Sequence, residues 1–166
     1  MLRIFPLLIM VFLVVPLNAQ SRVADYTITS MQAKLFYDNT GTFSRDVSEA
    51  AMDRFVVPSI LWNTPMEGSA REGASTSVLV TVEVSGEYAA APRRRIEFTA
   101  TYKPIDAHRE IIVRQFAPIW IREQGKYVAG FWLNEAGCNP VKLSARIVGQ
   151  KKSSLLKRVI RFGCGE

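Results

Sequence analysis

Residues 125–164 read G-K-Y-V-A-G-F-W-L-N-E-A-G-C-N-P-V-K-L-S-A-R-I-V-G-Q-K-K-S-S-L-L-K-R-V-I-R-F-G-C. Val141, Leu143, Ala145 and Ile147 alternate with Lys142, Ser144, Arg146 and Val148. A period of two is the mark of a strand with one buried face. The return arm repeats it, with Leu156, Ile160 and Phe162 on one face and Arg158 interrupting. Between the arms, residues 149–154 supply a turn. Centring that turn on Lys151-Lys152 sets Val141 opposite Phe162, Leu143 opposite Ile160 and Ile147 opposite Leu156. Only Ala145 then meets a charge, Arg158. A slip of one residue would turn basic side chains onto the apolar face, so the register is expected to be well specified. In this register the only two cysteines, Cys138 and Cys164, fall nearly opposite one another. A disulfide between them is expected in an oxidising compartment, the alternative being two buried thiols.

Upstream, Tyr127, Ala129, Phe131 and Leu133 alternate with Val128, Gly130 and Trp132. Glu110 to Arg122 reads as a strand bent or split at Pro118, with Ile119 and Ile121 on one face and Trp120 on the other. Ile96, Phe98, Ala100 and Tyr102 face in, against Arg95, Glu97, Thr99, Thr101 and Lys103 facing out. Val78 to Val84 is the clearest strand, four valines sharing a face. Asn63 to Ser77 is a long polar loop. Pro58 places the apolar run around Ile60, Leu61 and Trp62 at an edge or bulge. Thr27 to Tyr37 opens the domain as a strand, and residues 38–42 form a turn. Ser44 to Arg54 holds the one candidate helix, a turn or two capped by Ser44 or Asp46.

The sum is seven or eight strands with at most one short helix and no long repeat. This is the signature of an all-β antiparallel sandwich of two sheets, a small closed barrel being the alternative. The layout is similar to immunoglobulin-like, fibronectin type III-like or C2-like domains. No motif ties the chain to one family. The antibody arrangement of two cysteines bridging facing sheets around a tryptophan is not met.

The first residues carry a different message. Arg3 precedes an almost wholly apolar run from Ile4 to Leu17, and Ala19 supplies a small residue before a cut. Residues 1–19 are expected to be a secretory signal peptide, with residues 20–166 forming one domain that is secreted or periplasmic. The run is shorter than the roughly 20 residues a spanning helix needs, so no membrane anchor is expected after cleavage.

Function is less legible. The 21 lysines and arginines against 15 acidic residues fall to 20 against 15 once Arg3 is removed with the signal. The excess gathers at Arg93, Arg94 and Arg95, at Lys151-Lys152, and at Lys157, Arg158 and Arg161. Such surfaces suit an anionic glycan or a membrane headgroup, or are simply solvated. Nothing accompanies them that would read nucleic acid. His108 is the only histidine, so a zinc site lacks ligands. No nucleophile-elbow sequence surrounds a serine that could act with His108 and Asp106. Asp38, Asp46 and Asp53 are weak candidates for calcium, although their spacing does not match a calcium loop. No cofactor is expected. The aromatics offer the better lead, since Phe36, Trp62, Phe116, Trp120 and Trp132 lie off the clearest apolar faces. The first expectation is therefore an exported, non-catalytic binding module, its partner a protein or an anionic glycan, using Trp62, Trp120, Trp132 and the three arginines. The alternative is a small calcium-dependent domain or hydrolase built on the Asp38–Asp53 loop.

Overall fold

A computed structural model describes residues 25–48, 60–61, 75, 77–88, 94–104, 107–121, 125–136, 139–150 and 154–163. The chain is an all-β sandwich. One sheet contains β1 (Tyr26–Tyr37), β2 (Thr42–Phe43), β4 (Ser77–Gly86) and β7 (Lys126–Leu133), in the order β2-β1-β4-β7. The second contains β5 (Arg95–Tyr102), β6 (Ile111–Pro118), β8 (Val141–Val148) and β9 (Leu155–Ile160), in the order β6-β5-β8-β9. Every pairing within these sheets is antiparallel. A short parallel pair joins β3 (Ile60–Leu61) to β10 (Phe162–Gly163). With the two-residue strands left out, the first, second and fifth strands form one sheet, and the fourth, third, sixth and seventh form the other.

The period-two reading of the strands holds. Val78, Val80, Val82 and Val84 are fully buried, as are Ile96, Phe98 and Ala100 on the other sheet. Phe98 of β5 and Phe131 of β7 stack with centroids 4.7 Å apart and planes inclined by 13°, which ties the two sheets through the core. Tyr102, at the end of β5, donates its hydroxyl hydrogen to the Asn134 carbonyl just beyond β7, at 2.9 Å. Ile119 and Ile121 are buried and Trp120 is exposed, as expected, although β6 itself ends at Pro118.

Three expectations are corrected. The β8–β9 register is offset by two residues, with Val141 opposite Ile160, Leu143 opposite Arg158 and Ala145 opposite Leu156. A two-residue offset keeps every side chain on its face, so the alternation cannot detect it. Phe162 does not continue β9 but pairs with Ile60.

The Ser44–Arg54 helix is absent over the part described, Ser44 to Ser48. These residues instead run beside β1. The Ser44 hydroxyl accepts the Leu35 N–H and the Ser44 N–H donates to the Leu35 carbonyl. Asp46 Oδ1 accepts the Ala33 N–H, and the Val47 N–H donates to the Ala33 carbonyl. Serine and aspartate side chains compete with helical bonding in this way, which is why they cap helices better than they fill them.

β1 changes phase along its length. Thr29 is an extra residue opposite Glu83, so Ile28 and Met31 both point inward. Such a bulge shifts the alternation by one and re-aims the side chains downstream of it.

Candidate functional site

The expected tryptophan and arginine positions are described only in part. Trp62 and Arg93 lie outside the described residues. Trp120 is 50% exposed in the segment after β6. Arg94 is half-buried, and its guanidinium reaches the turn at Gly149, where an added Cβ would lie 3.0 Å from Nη1. Arg95 turns the other way, its guanidinium carbon 4.6 Å from the centre of the Phe116 ring. Cys138 and Cys164 are also outside the described residues, as are Asp53, Asp106 and most of the Asn63–Ser77 loop.

Trp132 does form part of a cluster. On β7 it points away from the core, opposite Leu79 of β4. The hairpin turn after Tyr37 carries Gly41 at φ 67°, a backbone shape glycine adopts freely, and returns Phe43 opposite Phe36. The three rings meet on the solvent face of the first sheet. Phe36 and Phe43 are 5.1 Å apart, Phe36 and Trp132 are 5.6 Å apart and edge-on, and Phe43 and Trp132 are 6.1 Å apart. Phe43 stays 45% exposed and Trp132 44%. Neighbouring Gly130 lies opposite Thr81, where an added Cβ would stand 3.3 Å from Leu79 Cδ1. The planes are mutually inclined by 37° to 84°, so the surface is knobbed rather than a flat stacking shelf. The Gln115 side chain of β6 donates to the Trp132 carbonyl at 2.8 Å and occupies that backbone acceptor.

Sequence reasoning misses Phe43 because it lies only two residues beyond the turn. The signal is present in the symmetry of Phe36 and Phe43 about the Asp38–Gly41 turn.

The solvent face of the second sheet has a different chemistry. Glu97 points outward yet is almost wholly covered, because Arg114 of β6 and Arg146 of β8 fold over it. Arg114 Nε lies 3.2 Å from Oε1, and Arg146 contacts Oε2 through Nε at 2.7 Å and Nη2 at 2.6 Å.

The catalytic and metal alternatives gain little. His108 is exposed. Asp46 Oδ1 already accepts two backbone N–H groups, from Ala33 and Ser48, and Asp38 lies in the exposed turn. Among the described residues no three histidine, cysteine or acidic side chains gather as a metal site would require. Among the described residues one carboxyl and one phenol are perturbed. Glu83 is held below the ordinary glutamate range, first by the hydrogen bond from Thr29 and then by that from Lys126. Burial, and secondarily the charge of Glu135, push the Tyr102 phenol above its ordinary value. Strand neighbours explain the first shift and burial the second, so neither marks a catalytic group.

No protein-family profile matches the chain, and no curated protein sequence matches it.

Proposed function

We propose that this chain is an exported, non-catalytic interaction module that grips a protein partner through Phe36, Phe43 and Trp132. The observation that carries the reading is a cluster of three packed aromatic rings, two of them exposed, on a sheet face that the fold does not need to cover. Large aromatics left in water are costly unless something covers them, and tryptophan is enriched among the residues that dominate protein interfaces. The mutual tilt of the rings favours an apolar pocket on a protein over a sugar ring, which stacks on a flat face. The apolar leader of residues 4–17 supports export. A Cys138–Cys164 bridge belongs to the same reading.

The test is a photoreactive phenylalanine analogue at position 43, placed in the protein expressed in its source cell. A discrete adduct that disappears with Trp132→Ala and survives Trp120→Ala supports the module. Adducts that depend equally on position 120, or no adduct at all, would overturn it.

A further inference from the structure

We propose that the outer face of the second sheet binds an acidic polysaccharide, Arg114 and Arg146 gripping its carboxylate or sulfate groups while Glu97 holds both guanidinium groups in place. The strand registers set the rows. One row crosses four strands as Arg114, Thr99, Ser144 and Lys157, and the next as Phe116, Glu97, Arg146 and Leu155. Arg95 and Lys142 complete the cations. Among the described residues these five basic side chains meet two carboxylates, Glu97 and Glu110, the latter 3.9 Å from Lys142.

The central carboxylate does not repel an incoming anion, because guanidinium N–H groups engage both of its oxygens and its side chain is only 7% exposed. The arginines are spent only in part. Arg114 approaches through Nε and Arg146 through Nε and one Nη, while their side chains remain 61% and 57% exposed. A guanidinium carries five N–H donors in a fixed plane, so donors remain on each for a ligand. Groups already held in position lose less freedom on binding.

The hydroxyls of Thr99 and Ser144 lie between the charges, where sugar hydroxyls would need partners. A bilayer surface fits less well. The most exposed apolar side chains on the strands of this sheet, Ile112 at 69% and Leu155 at 55%, sit on opposite edge strands rather than in one protruding wedge.

The test measures binding of the purified chain to immobilised polygalacturonate, a sulfated glycosaminoglycan, neutral dextran and anionic phosphatidylglycerol vesicles. The acidic polymers should bind, more weakly as salt screens the contacts, and dextran should not. Arg114→Gln and Arg146→Gln should each lower affinity about tenfold, the scale of a lost charge-assisted contact. Lys34→Gln, on the opposite sheet, should change nothing. Glu97→Gln is decisive. It makes the face more positive, so plain charge attraction predicts tighter binding, whereas a positioning role predicts weaker binding. Arg146→Lys, which keeps the charge and loses the planar fork, should also weaken binding and serves if Glu97→Gln fails to fold. Binding no better than to dextran, tighter binding by Glu97→Gln, wild-type affinity in Arg146→Lys, or binding to vesicles alone would each overturn the proposal.

Discussion

Gly86 shows how much a single position can decide. It pairs with Tyr26, and a Cβ added there would stand 2.2 Å from the Tyr26 ring, inside any allowed contact. Tyr26 is itself buried, so the ring has nowhere to retreat. Gly86→Ala should therefore destabilise the fold by about 1–3 kcal/mol, the scale of overpacking in a full core, read as a lower midpoint in urea. Glu83 makes a pH prediction. Its carboxyl titrates below its ordinary value in the folded chain, so its contribution is complete above the unfolded value and is lost as pH falls through the folded one. Thr29→Val removes the largest cause. It should raise the Glu83 midpoint seen by carbon NMR and soften the acid limb of the stability curve. Tyr102 works in the opposite sense. Its raised value means stability is complete below the ordinary tyrosine value and declines as pH rises through the folded one. Tyr102→Phe should remove that alkaline loss while costing about 1 kcal/mol at neutral pH through the lost bond to Asn134. The valines of β4 can be read from spacing alone. The roles of Gly86, Glu83 and Tyr102 cannot, because each depends on a partner fixed by tertiary register.

The strands themselves are legible wherever one face is buried, and their partners are not. Alternation places Ile96, Phe98 and Ala100 inside without reference to any other strand. It says nothing about a two-residue offset in the β8–β9 hairpin, nor about a bulge at Thr29 that changes phase mid-strand. The second edge of β1 is the clearest case. Gln150, in the β8–β9 turn, accepts the Tyr26 N–H at 2.9 Å and donates to the Tyr26 carbonyl at 2.7 Å, as a neighbouring strand would. Ser154 accepts the Ile28 N–H at 3.2 Å. Together with Ser44, Asp46 and Val47, these groups dress an edge that would otherwise be open to pairing with another chain. A glutamine so distant along the chain announces no such role in the sequence. Gln150→Leu should leave both Tyr26 backbone groups unpaired beside a buried ring and cost about 1–3 kcal/mol. Amide exchange at Tyr26 and Ile28 should accelerate more than exchange in β4, and an unchanged pattern would show that the edge is held by other means.

At the scale of the whole molecule, two sheets enclose one core and present two unlike outer faces, one aromatic and one basic. The sandwich class is readable because nearly every strand in it is one-sided. The aromatic site is readable only in part. Trp132 and Phe36 stand out as residues off the apolar face, whereas Phe43 and the separation of Trp120 from the group depend on how the sheet is assembled. The basic face is obscured because its cations are scattered over β5, β6, β8 and β9. The obvious run at residues 93–95 meanwhile divides, with Arg94 turning toward Gly149 and Arg95 toward Phe116. The most direct measurement of the central claim is acrylamide quenching in a variant retaining only Trp132, made by Trp62→Phe and Trp120→Phe. The free protein should show a readily quenched indole, and the exported protein fraction of the source cell should protect it and shift its emission to the blue. The parallel variant retaining only Trp120 should stay fully quenchable. An indole at position 132 that is shielded in the free protein, or one left equally quenchable while Trp120 becomes protected, would contradict the assignment of the aromatic face.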